Sequence, residues 1–242
     1  MSRLSNHLTV FRITGIIMLA WFCLPATAQE NAHFESWYTY SARHYVTKHR
    51  FWIRNDIGIK HSFDENPSTI FLMRPRMIIN LGNIVEFQPA VDFRFSYYPN
   101  TNNTIELRTW QGFRVYWPDI GRVMFDHFYR FEQRFNWLEG FEREEISLRS
   151  RYRLNMRVPV NHLAITDNTF FFDLRGEIFL PHDEGIIETY ASTIRLGLNL
   201  GYRQNVKWRY QLTGYVDGGK DVIDANRSAS RLIIEASVRT TF

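Results

Sequence analysis

Three polar side chains stand where nucleophilic chemistry could use them: Gln111, His127 and Ser150. An imidazole beside a serine hydroxyl can take its proton and leave the oxygen a nucleophile, and an amide can hold the ring in place. Each lies in a segment of alternating polarity. Folding the chain back about a loop at 136–142 sets Ser150 beside His127, and folding it about a turn at 118–121 sets Gln111 on the other side. The group would then sit on an apolar face. The competing expectation is that His127 is structural, at the edge of the apolar zone or turned toward a backbone carbonyl. No oxyanion donor is evident, and geometry must come before roles are assigned. The trio is therefore the alternative, and no catalytic set is assigned first.

A larger constellation occupies the opposite parity. Arg74, Arg76, Arg94, Arg108, Arg130, Arg134, Arg149, Arg151, Arg153, Arg157 and Arg175 alternate with apolar neighbours and are interleaved with Glu86, Asp92, Glu106, Asp126, Glu132, Asp173 and Glu177. Rings of arginine in a pore favour anions. The planar guanidinium fork also binds a carboxylate with two prongs, so the same residues could pair across strands and fill an interior as a charged core. We expect the filled or narrow interior, which leaves room for a structural or binding role, or for slow passage of small solutes with an anion preference.

The elements that must position these residues are strands. In 122–135, Val123, Phe125, Tyr129, Phe131 and Phe135 share one parity, while Arg122, Asp126, Arg130, Glu132 and Arg134 share the other. Segment 145–158 repeats the pattern. Alternate side chains of a strand point to opposite faces, so each segment has one apolar and one charged wall. Further segments of this kind run through 50–63, 70–80, 84–97, 105–117, 170–180, 189–202, 206–217 and 231–242, with a blurred one at 34–46. No helical period competes. Long strands, wet on one side and aromatic-aliphatic on the other, are what a membrane barrel needs. No stretch after residue 28 approaches the roughly 20 apolar residues of a membrane helix, and lipid tolerates only helices or closed barrels.

The expected fold is all-β, a single closed antiparallel transmembrane β-barrel. Eleven segments conflict with the even strand number usual for such barrels. Ten or twelve strands would satisfy it, with twelve preferred. Short turns at 81–83, 118–121 and 203–205 read as periplasmic, and loops at 64–69, 98–103, 136–142, 181–187 and 218–230 as outward-facing. A barrel of about eight strands fills with side chains and one of about sixteen holds a channel, which keeps both interior readings open. Pro75 and Pro89 fall inside strands, where each removes a ladder N–H. A turn centred on Gly82 would set them opposite one another, which predicts a local defect in the wall.

The ends bound the location. Arg3 and Arg12, the apolar run 13–23 and the small residues Ala26-Thr27-Ala28 read as a cleaved signal peptide over residues 1–28, leaving 29–242 as the barrel domain. That cleavage removes the one cysteine, Cys23, so the mature chain holds no thiol. The 29 basic residues lose Arg3 and Arg12, leaving 27 against 25 acidic ones, a net of +2 rather than +4. So slight an excess gives no reason to expect a nucleic-acid partner. Aromatic residues make up 16%, as expected where rings form belts at bilayer surfaces. His44, His49, His61, His162 and His182 show no paired ligand spacing, so no metal or other cofactor is expected.

Three resemblances add to this. Leu232, Ile234, Ala236, Val238, Thr240 and Phe242 alternate to the last residue. The terminal Phe242 looks like the signal read by the outer-membrane assembly machinery of Gram-negative bacteria, which implies that machinery and outer-membrane lipid as partners. Glu106-Leu-Arg108-Thr-Trp110-Gln111, the run His127-Phe-Tyr-Arg130-Phe-Glu132-Gln133-Arg134-Phe135, and Arg149-Ser-Arg151-Tyr152-Arg153-Leu154 resemble the domain-of-unknown-function family numbered 2490. That resemblance implies a bacterial outer-membrane barrel and no established activity. The Ser–His–amide trio resembles the group on the outer wall of outer-membrane phospholipase, although that enzyme's His-x-Ser spacing is absent. It implies, as the alternative, a lipid hydrolase using Ser150, His127 and Gln111.

Overall fold

A computed structural model describes residues 33–47, 50–63, 66–138, 144–182, 193–220 and 227–242. The leader expected over 1–28 lies outside them, as do parts of the loops expected around 64–69, 136–142, 181–187 and 218–230. Each alternating segment becomes one strand, because period-two patterning is satisfied only by the pleat. The strands are β1 (His33–Thr47), β2 (Phe51–Ser62), β3 (Ser68–Asn80), β4 (Val85–Tyr97), β5 (Thr104–Tyr116), β6 (Met124–Leu138), β7 (Glu144–Pro159), β8 (Thr169–Pro181), β9 (Thr193–Arg203), β10 (Trp208–Lys220) and β11 (Arg227–Thr241). Among the described residues there is no helix, and so none long and apolar enough to cross a membrane.

Sequential strands pair antiparallel all the way round, and the sheet closes by pairing β1 with β11. That seam is parallel, running from His33 beside Arg231 to Arg43 beside Thr241. The barrel therefore has eleven strands and is mixed, not an antiparallel barrel of ten or twelve. The conflict over strand number resolves without a missing or spurious strand. With an odd number, the first and last strands point the same way, and parallel pairing is the only closure open to them.

Four connections, Leu81–Ile84, 117–123, 160–168 and 204–207, share one rim with the β1–β2 turn and with Phe242. His33 lies at the other rim, so the two ends of the barrel chain are not on one side as an even barrel requires. Gly121 turns at φ 63, in the left-handed region that costs glycine little.

Parity sorts the side chains. Phe71, Met73, Phe93, Phe113, Leu196 and Leu212 are exposed on the outer wall, whereas Asp92, Glu132 and Asp173 on the other parity are 0% exposed. β1 is blurred in sequence because its middle inward positions, between Glu35 and Arg43, hold Trp37, Thr39 and Ser41 rather than charges. Trp37 packs on Tyr215 and Ile233. Inward glycines make room for rings: a Cβ on Gly112 would lie 2.6 Å from the Phe128 ring.

The β3–β4 ladder is broken. Met73 pairs with Phe93, Arg76 with Ala90 and Ile79 with Phe87, with two steps missing on each side of Arg76. The turn centres on residue 83 rather than 82. Pro75 therefore faces Val91 and Pro89 faces Met77, and the prolines are diagonal rather than opposite. Neither has an N–H to give the ladder.

Candidate functional site in the barrel interior and its wall

The interior is a cavity of about 440 Å³ lined by residues of all eleven strands. Inward arginines alternate with apolar residues along each strand, so neighbouring strands bring guanidinium and carboxylate together at each level. Asp92 accepts from Arg74 Nε at 2.7 Å and from Trp110 Nε1 at 2.8 Å, with Arg94 at 3.4 Å. Glu106 accepts from Arg108 Nη2 at 2.6 Å and Arg134 Nε at 2.7 Å. Glu132 collects Arg108 at 3.1 Å, Arg149 at 2.6 Å and Arg130. Arg157 and Arg175 hold Asp173, at 2.6 and 3.7 Å. Glu177 takes Arg151 and Arg153. Asp126 pairs with Arg114 at 3.5 Å and accepts from Asn155 Nδ2 at 3.0 Å. Glu86 departs from this pattern: it accepts from Gln88 Nε2 at 2.7 Å and the Tyr116 hydroxyl at 2.8 Å. Arg76 joins Arg54 on Asp56, which also takes the Ser41 hydroxyl at 2.6 Å.

Among the described residues, seventeen cationic side chains and five carboxylates line this cavity, and Asp92, Glu106, Glu132, Asp173 and Asp217 stand against those arginines from behind. Several cations rest on rings instead of carboxylates. Lys60 Nζ lies 3.3 Å from the centre of the Trp37 ring, Arg43 lies 4.0 Å over Trp52, and Arg209 lies 5.4 Å over Phe171. Arg239 Nε is buried without a hydrogen-bond partner. The lumen is therefore crowded and carries a cationic surplus. The sequence pattern marks Arg239 only by its sharing Glu235's parity.

Gln111, His127 and Ser150 do not assemble. His127 stands beside Val115 and Leu154, and its Nδ1 meets the Tyr152 hydroxyl. Ser150 stands beside Phe131 and Leu180, and Gln111 beside Pro89 and Phe131. At one end β6 runs on to Leu138, past the expected start of the loop; at the other the expected turn at 118–121 lengthens to a seven-residue connection, 117–123. Each extension slips the register by four residues, which keeps parity and loses proximity.

Ser150 instead sits under two other side chains on the outer wall, 3% exposed. His182 Nε2 is 2.7 Å from its Oγ, and the Tyr129 hydroxyl is 2.9 Å away. His182 falls in a segment that reads as loop, and nothing in its spacing points to Ser150. Among the described residues no group of three or more His, Cys, Asp or Glu could hold a metal ion.

A second hollow, of about 690 Å³, opens in the wall at the broken ladder and reaches from Ile53 on β2 to Phe131 on β6. Its apolar floor is Pro75, Met77, Pro89 and Val91, and Gln111 and Gln133 edge it.

The family model described as Protein of unknown function (DUF2490) matches residues 34–222. No curated protein matches the chain, and no solved structure does.

Proposed function

We propose that this chain, which belongs to the family of proteins of unknown function (DUF2490), is an integral barrel of the bacterial outer membrane. Its interior would admit small anions slowly or hold them. The exposed apolar parity supports the location. So do the rings at the two rims: Trp117, Phe170 and Trp208 at the turn rim, and Phe34, Phe63 and Tyr97 at the other, all exposed. Thirteen residues, as in β3, β4 and β5, rise about 43 Å, or roughly 33 Å when tilted by about 40°. That exceeds an apolar band of about 25 Å. A leader over 1–28 and the terminal Phe242 fit delivery through the outer-membrane assembly machinery.

The observation that carries the interior reading is the crowded cavity with its surplus of cations. Asp56, Asp92, Glu106, Glu132, Asp173 and Glu177, each held by two or three arginines, are poor sites for cations, while Lys60 and Arg239 leave positive charge facing the space. Planar-bilayer recording of the purified protein tests it. The expected result is conductance far below that of a water-filled porin, with a reversal potential on the anion side in a salt gradient. A wide cation-selective pore overturns it.

A second reading, an outer-wall acyl hydrolase, is favoured by one distance, the 2.7 Å between His182 Nε2 and Ser150 Oγ. His182 would take the Ser150 proton as the oxygen attacks an ester carbonyl, and return it to the departing alcohol; water would then release the acyl group. A fluorophosphonate probe should label Ser150 and fail on Ser150→Ala and His182→Ala. No labelling of the wild-type chain leaves Ser150, Tyr129 and His182 as a structural knot.

A further inference from the structure

We propose that the break between β3 and β4 is a docking site for a single-chain fatty acid, its tail in the wall hollow and its carboxylate on Arg76. The inference rests on the outer wall facing lipid. Only the Arg76–Ala90 pair bridges the strands between Met73–Phe93 and Ile79–Phe87. The small Ala90 side chain stands in that gap, with the Trp110 ring behind it.

Arg76 lines both the hollow and the lumen cavity. Its only carboxylate partner among the described residues is Asp56, which Arg54 already holds at 2.7 Å. Two cations thus share one anion, and Arg76 Nε is buried without a hydrogen-bond partner. A second carboxylate arriving from the hollow would balance the local charge and accept that N–H as a charge-assisted bond.

The hollow selects the rest of the ligand. Pro75, Met77, Pro89 and Val91 offer hydrocarbon contact, and a space of about 690 Å³ lies in the range that holds small ligands. It is continuous with the apolar wall, so a tail can enter sideways. A gap of a few ladder steps passes one chain with a compact head, not a phosphodiester carrying two. The edge is polar on a mostly apolar parity: Thr109 Oγ1 donates to Gln133 Oε1 at 3.1 Å, beside Gln111.

The test is photocapture in lipid vesicles with palmitic acid carrying a diazirine on its tail, followed by peptide mapping. Saturable labelling of the β3 and β4 peptides is expected. Unlabelled palmitate should compete at least ten-fold better than hexadecanol, which lacks the charge. Arg76→Gln should lower capture about ten-fold and Arg76→Lys should restore part of it. Val91→Trp should abolish capture by filling the hollow with Arg76 intact. Equal competition by the alcohol, or undiminished capture by Val91→Trp, overturns the proposal, and those arms decide the matter even if Arg76→Gln fails to fold. Protein that stays out of the vesicles overturns the membrane reading and this inference together. Inserted protein without saturable capture overturns this inference alone.

Discussion

Arg157 grips both oxygens of Asp173 across β7 and β8, Nε to Oδ1 at 2.6 Å and Nη2 to Oδ2 at 2.9 Å. The same two-pronged hold recurs between Arg195 and Asp217, at 2.6 and 2.7 Å. A guanidinium fork fits a carboxylate edge only in one orientation, so each such pair fixes the relative height of two strands as well as their charge.

Removing one partner of such a pair should therefore cost more than removing both. Asp173 is 0% exposed and also accepts from Asn199 Nδ2 at 3.1 Å. Asp173→Asn should lower stability by about 2–3 kcal/mol, because it leaves Arg157, which is half-buried, without its carboxylate. Asp173→Leu with Arg157→Met should recover most of that loss. Thermal unfolding in detergent, followed by the gel mobility shift of the intact barrel, measures both.

Interior room is as specific as interior charge. A methyl on Gly112 would stand 2.6 Å from Phe128 Cζ and 3.1 Å from the Tyr129 carbonyl oxygen. Gly112→Ala should cost about 1–3 kcal/mol by overpacking, and Phe128→Leu in the same chain should return part of it. The same unfolding assay decides, and a neutral Gly112→Ala would mean that the ring moves freely.

Healing the wall is the converse experiment. Pro75→Val with Pro89→Val restores two ladder donors at the break. Each new hydrogen bond is worth about 1 kcal/mol, so amide exchange at Met77 and Ile78 should slow roughly five-fold. Unchanged exchange would show that something other than the missing N–H groups holds β3 and β4 apart.

The seam depends on the last residue. Phe242 stacks on His44, with ring centres 4.9 Å apart and planes 10° from parallel, and its N–H donates to the Arg43 carbonyl at 2.8 Å. Phe242→Ala should lower the folded, membrane-inserted fraction several-fold, and His44→Ala should lower it less if the terminal ring is read by the assembly machinery. Equal losses would assign the ring a packing role alone. Heat-modifiable migration in isolated membranes reads the fraction directly.

Alternation is a local property, and it placed most strands and the facing of Arg74, Glu132 or Leu196 directly from residue types. Register is not local. His127 and Ser150 share the outward parity, as the pattern requires, yet stand four residues out of step because turns and loops can shift by pairs without changing parity. Closure is less local still: whether β1 meets β11 parallel or antiparallel depends on the strand total. The prolines were legible as a defect because Pro75 and Pro89 each lack the same atom. The Ser150–His182 contact was not, because it joins a strand position to a residue just past the end of β8 whose direction no periodicity governs.

The odd strand number has a consequence for anyone placing labels. His33 and Phe242 belong to strands that run side by side in the same direction, so the start of the barrel chain and its finish emerge from opposite mouths. If the wall spans a bilayer, a dye at His33 and a dye at Phe242 answer to different compartments, and an impermeant quencher added to one side should silence one of them and spare the other.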